Sequence, residues 1–220
     1  MPIAPEEPPA MSVEVARSGV ANALSLDAFA DGSWQIDDFG GSAATDLAAP
    51  HETFTLPLND VHEGGIGAAS ATGWRYVVAT GDDVVGIGET STVPADTLEA
   101  TQAENRTSRA DEAGNTVVFA KLDTRAQAEA VVRAIHHAES IAPDDEEYSV
   151  RYLRVPALFA SAIWLHGAIR DWILPLDEAP DGIDTAELVP ADVYLDRLAP
   201  VARRKLRAYA QADDDDDLGG

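Results

Sequence analysis

The chain has no cysteine and only two lysines, Lys121 and Lys205, among its 220 residues. Without thiols there is no disulfide framework, no thiolate nucleophile and no Cys-ligated zinc or iron–sulfur centre. Long apolar runs are lacking as well. The longest stay well below the roughly 18 residues that a membrane helix needs. Residues 1–10, rich in proline and glutamate, have neither the basic nor the apolar stretch of an export signal. These absences predict a cytoplasmic chain, neither secreted nor embedded in a bilayer.

What the sequence has in excess is negative charge. Twenty-four aspartates and fifteen glutamates face thirteen arginines and two lysines, a formal net charge of −24. At physiological ionic strength the screening length is about 8 Å, so such a surface repels itself; near 1 M salt it falls to about 3 Å and the carboxylates become a hydration layer. The composition therefore predicts a salt-adapted (halophilic) protein. Hydrophobic residues make up 45% of the chain, too many for a disordered acidic polymer, so it should fold. A phosphate backbone would be repelled, which makes nucleic acid an unlikely partner.

Read for periodicity, the chain divides into a largely irregular segment over 1–50, a single α+β domain over 51–210 and a disordered acidic tail over 211–220. Within the first segment, Val13 to Phe29 offers one weak amphipathic helix with Val20, Leu24 and Ala28 at helical spacing, interrupted by Gly19. The clearest hairpin is Trp74 to Glu89 around Gly81-Asp82-Asp83, where valine, isoleucine and aromatic residues flank a glycine turn. A strand at Asn115–Leu122 leads into the best helix, about 124–141, with Asp123 or Thr124 as its cap and Ala126, Ala130, Val131, Ala134, Ile135 and Ala138 as its apolar stripe. Residues 91–114 read as a long polar excursion with a short helix near 95–103. The run 157–166 fits a strand that turns at Gly167–Arg170 into an antiparallel partner, Asp171–Leu176, with a helix as the alternative. Pro190 opens a C-terminal helix with Tyr194, Leu198, Val201, Ala202 and Tyr209 on one side, in which Pro200 must kink the axis or start a new helix. The expected fold is a mainly antiparallel sheet with the central and C-terminal helices packed on one face.

No recognisable catalytic motif is present, and the sequence favours a non-enzyme. His136 and His137 point about 100° apart and cannot share a metal. His51-Glu52 and His62-Glu63 lack the second histidine of a zinc helix, and the paired carboxylates follow from composition, so no metal and no cofactor is expected. The weak catalytic candidates are His166, which follows an apolar strand and precedes a glycine, and Asp171; either Asp171 or Arg170 can approach the histidine across the turn. Four aromatic residues outside the strongest stripes, Trp34, Phe39, Trp172 and Tyr209, are candidate interaction residues. The leading expectation is a non-enzymatic interaction or assembly component with a protein partner or larger complex. The alternatives are a small hydrolase or ligand-binding enzyme using His166 and Asp171, and conjugation of the ubiquitin-like type through Gly219-Gly220.

Overall fold

The computed structural model describes residues 3–4, 6–25, 45–94, 107–110, 115–176 and 183–217, the last five of these for backbone alone. Trp34, Phe39, the expected helix near 95–103 and Gly219-Gly220 lie outside the described residues. In chain order the elements are β1 (Ile3–Ala4), α1 (Ala10–Ser25), β2 (Asp46–Thr55), α2 (Asp60–Glu63), β3 (Ser70–Thr80), β4 (Asp83–Pro94), β5 (Ser108–Ala110), β6 (Asn115–Asp123), α3 (Arg125–Ile141), β7 (Tyr148–Val155), β8 (Ala160–His166), β9 (Trp172–Pro175), β10 (Val189–Pro190) and α4 (Ala191–Asp217). The fold is α+β, with mostly antiparallel strand pairing and a parallel pairing of β1 with β7. It gathers into two compact units, one made of residues 5–53 and 72–136, the other of 1–4, 54–71 and 137–220.

In the first unit the strand order is β2-β3-β4-β6-β5. The β3–β4 hairpin is where the sequence predicts it. Its turn is tighter than expected: Thr80 opposes Asp83, leaving Gly81 and Asp82 to reverse the chain, with Gly81 at φ +60°. That left-handed first position is the one glycine fills without strain.

Helix α1 occupies part of the segment read as largely irregular. Its buried positions are Ser12, Val15, Ala16, Gly19 and Val20, a regular helical stripe that holds one polar residue and one glycine. Each has a structural partner. Ser12 Oγ accepts from the Tyr76 hydroxyl at 2.7 Å and lies 2.8 Å from Thr90 Oγ1, so a buried hydroxyl chain joins α1 to β3 and β4. Burial pushes the Tyr76 phenol up to about 12. Gly19 is where the ring of Phe119 on β6 arrives: a Cβ there would stand 2.0 Å from the Phe119 Cγ.

Helix α3 begins as predicted. Thr124 and Gln127 form a long reciprocal capping pair, the Thr124 N–H donating to Gln127 Oε1 at 3.3 Å and the Gln127 N–H to Thr124 Oγ1 at 3.5 Å. Its buried stripe is Ala128, Val131, Ile135 and Ala138, so of the expected residues Ala126 is exposed and Ala130 and Ala134 sit at the margin.

In the second unit β7, β8, β9 and β10 pair antiparallel in sequence order, and β1 adds to β7. The run 157–166 divides between its two readings: Pro156–Leu158 is a 3-10 turn and Ala160–His166 is strand, paired with β9 as expected. One face of these strands, including Leu153, Ala162, Trp164 and Ile173, buries against Tyr194, Leu195, Leu198 and Ala202 of α4. The helix runs through Pro200 and on to Asp217, into the acidic run where the sequence places a disordered tail. Tyr209, expected in the packed stripe, is 50% exposed.

Gly19→Ala tests the α1 contact. Helix propensity alone would favour alanine by about 1 kcal/mol. Overpacking against Phe119 should outweigh it and give a net loss of about 1–3 kcal/mol in a urea melt. A stabilised variant would contradict the Phe119 contact.

Candidate functional sites

Three groups of side chains stand out, the first in the unit of residues 5–53 and 72–136. Cross-strand register places Arg75 on β3 opposite Glu89 on β4, and Glu89 opposite Lys121 on β6. Arg75 and Glu89 are both buried. Arg75 Nη2 lies 3.0 Å and Lys121 Nζ 2.9 Å from the same Asp123 oxygen, while Arg75 Nε stands 3.5 Å from Glu89. Two cations thus meet two carboxylates, and the row is neutral. His51 on β2 is wholly buried, and its Nδ1–H donates to the Ala49 carbonyl at 2.8 Å. Burial, then the positive charge of Arg75, push the imidazole down from 6.5 to about 4. A neutral histidine beside a charge-balanced row is a structural arrangement. Chiefly Lys121 reaches solvent from it, and neither Arg75 nor Glu89 was singled out from the sequence.

The second group contains both catalytic candidates. The turn after β8 brings Asp171 back to His166, with Nδ1 2.7 Å from Asp171 Oδ1. The Trp164 indole N–H donates to the same oxygen at 2.9 Å, and the Trp164 and His166 rings meet edge-on with centroids 5.4 Å apart. Glu146 holds the turn by accepting the N–H groups of Ile169 (2.8 Å) and Arg170 (3.0 Å). A side chain at Gly167 would collide with that carboxylate, its Cβ 2.6 Å from the Glu146 carboxyl carbon. In the tautomer whose Nδ1–H donates to this carboxylate, Nε2 carries the lone pair, which is how an oriented base is built. Ser149 on β7 is the register partner of His166, with no side-chain hydrogen bond between the two. On the same strands Arg151 stacks over Phe54 at 4.7 Å and Trp164 at 5.0 Å. The sequence pointed to His166 and Asp171; Trp164, Glu146 and Ser149 it did not, because their roles depend on register and on a contact 23 residues away.

The third group is on the surface. Phe159 is 75% exposed and sits in the left-handed region at φ 52°, ψ 31°. The Lys205 ammonium lies 5.1 Å from its ring and 5.8 Å from that of Tyr209 on the next turn of α4. Of the other expected interaction residues, Trp172 is half-buried with the Arg170 guanidinium 5.6 Å from its ring. Phe159 falls within the run 157–166 that the sequence reads as strand or helix, and no pattern in the sequence marks a left-handed phenylalanine.

The remaining histidines form no site. His136 and His137 are exposed, and His62 and Glu63 line a groove of about 440 Å³ with Asp192, Asp196 and Arg203. Among the described residues no three His, Asp or Glu side chains gather to hold a metal ion, and no helix is long and apolar enough to cross a membrane. No family model, curated protein or solved structure matches this chain, so the functional reading rests on its own residues.

The His51 environment makes a pH prediction. Between pH 6.5 and about 4 the unfolded chain takes up a proton at His51 that the folded chain refuses. Stability therefore falls as pH drops through that window, by up to roughly 3 kcal/mol. In His51→Gln the urea midpoint should depend less steeply on pH between 7 and 4. Equal slopes in the two proteins would contradict the buried neutral state.

Proposed function

We propose that this chain is a non-enzymatic interaction or assembly component of a salt-rich cytoplasm, and that it meets a protein partner through Phe159 and the outer part of α4. Phe159 carries this reading. A left-handed backbone costs a side chain roughly 1–2 kcal/mol, and a 75% exposed ring gains almost nothing from burial in return. Glycine would suit that position better, so the phenylalanine is a stability loss that a partner's surface would offset. Exposed aromatic rings have the composition of interface anchors. The −24 charge belongs to the same reading as a hydration layer for brine.

The 2.7 Å contact between His166 and Asp171 favours a second reading, a small hydrolase or ligand-binding enzyme. In it His166 is the base, Asp171 fixes its tautomer, and Ser149 is the group across the ladder.

Phe159→Gly separates them. Immobilised in molar-salt extract, the variant should lose the partner that the wild type retains, while its melting temperature rises by an amount equivalent to about 1 kcal/mol. Wild-type retention of the partner by Phe159→Gly would overturn the interaction reading. Turnover of a small ester that His166→Ala abolishes would establish the second reading instead.

A further inference from the structure

One surface groove reverses the charge balance of the chain. It lies between α1 and β5, has a volume of about 290 Å³, and is lined by Arg17 and Ser18 of the helix and by Thr107, Ser108 and Arg109 at the strand, with Glu14 as its sole carboxylate. Carboxylates outnumber lysine and arginine by 39 to 15 in the whole chain, whereas here two arginines meet one glutamate. The groove that Arg203 lines has the ordinary composition, with Glu63, Asp192 and Asp196 around that single arginine.

Helical spacing builds one wall. Glu14, Arg17 and Ser18 stand at i, i+3 and i+4 and are all exposed, so they share the outer side of α1. The donors gathered here are largely uncommitted. Arg109 pairs with Glu14, but Arg17 has no ion-pair partner among the described residues, and there the hydroxyls of Ser18 and Ser108 have no hydrogen-bond partner either. Thr107 Oγ1 accepts from the Asn22 side-chain N–H at 3.0 Å. That bond uses a lone pair, so the Thr107 O–H is left to donate. A whole guanidinium fork and three hydroxyls are thus open to a ligand in one place, beside a second guanidinium shared with Glu14.

We infer that this groove binds the phosphoryl group of a small phosphomonoester. Such a group carries a charge of about −1.5 to −2 at neutral pH and three strong acceptor oxygens. A guanidinium fork with a set of hydroxyls matches it in both charge and donor count. A carboxylate, with one charge and two oxygens, would leave part of that set unused. The volume lies at the lower end of the roughly 300–1,000 Å³ of small-molecule sites, so the rest of the ligand is small. A nucleic-acid strand would run past the two arginines onto a chain of net charge −24 that repels it. Molar salt screens the long-range attraction of an anion to the groove, while charge-assisted hydrogen bonds in direct contact persist. The site belongs to the unit of residues 5–53 and 72–136 and is independent of the interaction reading built on Phe159.

Amide NMR of the isotope-labelled full chain in molar potassium chloride tests the assignment, with glycerol phosphate, inorganic phosphate and acetate as probes. Glycerol phosphate should shift the amide signals of Ser18, Thr107 and Ser108 saturably. Arg17→Gln should weaken that binding at least about tenfold. Ser18→Ala should weaken it severalfold without loss of fold, since alanine is the better helix former. Arg133→Gln, the same charge change on α3, should leave it unchanged. Tighter binding of glycerol phosphate than of inorganic phosphate supports the esterified group as the ligand; equal or tighter binding of inorganic phosphate keeps the phosphoryl site and makes the free ion its ligand. No saturable shift with either phosphate, undiminished binding by Arg17→Gln, or acetate bound as tightly as the phosphates would each overturn the inference.

Discussion

Positive charge is the scarce resource of this chain, and where the fold places it organises the rest. Thirty-nine carboxylates share fifteen lysines and arginines. Arg75 is given to the interior, where with Lys121 it balances Glu89 and Asp123. Leaving Glu89 buried without them would be severely destabilising, of the order of 3–5 kcal/mol for a broken buried pair. His51 stays unprotonated for a separate reason, first its burial and then the positive charge of Arg75 beside it. Four more cations are concentrated within five residues of α4, on a stretch with no fully buried residue.

The helix α4 thus has two halves with different physical tasks. Up to Ala202 it supplies Tyr194, Leu195, Leu198 and Ala202 to a conventional apolar core against β7, β8 and β9. From Arg203 to Ala212 it keeps its backbone geometry with no residue fully buried, which an isolated helix of that length does poorly in water. Phe159, held in a left-handed conformation next to Lys205, borders this outer half. The left-handed, 75% exposed Phe159 beside Lys205 is the observation on which the proposed interaction rests.

The legible parts of the fold were those with an undisturbed period. The β3–β4 hairpin and α3 follow from alternation, a glycine turn and a Thr-x-x-Gln cap, and the approach of Asp171 to His166 follows from a short turn between two strands. Helix α1 was faint because its buried stripe contains Ser12 and Gly19, which lower propensity and hydrophobicity yet meet Tyr76, Thr90 and Phe119. The Arg75 row was invisible because charged residues in a strand read as solvent-facing until a second layer covers them. The left-handed turn at Phe159, inside the run 157–166, was not legible because backbone handedness at a turn leaves no trace in composition. Trp34 and Phe39 fall outside the described residues, and Trp172 is half-buried under Arg170.

The account's central claim is that the carboxylate excess is a solvation device suited to brine and not a set of binding sites. Thermal unfolding of the full chain followed from dilute buffer to several molar potassium chloride tests it most directly. The account predicts a melting temperature that climbs steeply as the screening length shrinks from tens of ångströms toward about 3 Å and keeps climbing in molar salt. A fold and melting temperature unchanged in dilute buffer would contradict it, and the acidic clusters would then have to be treated as ligand sites.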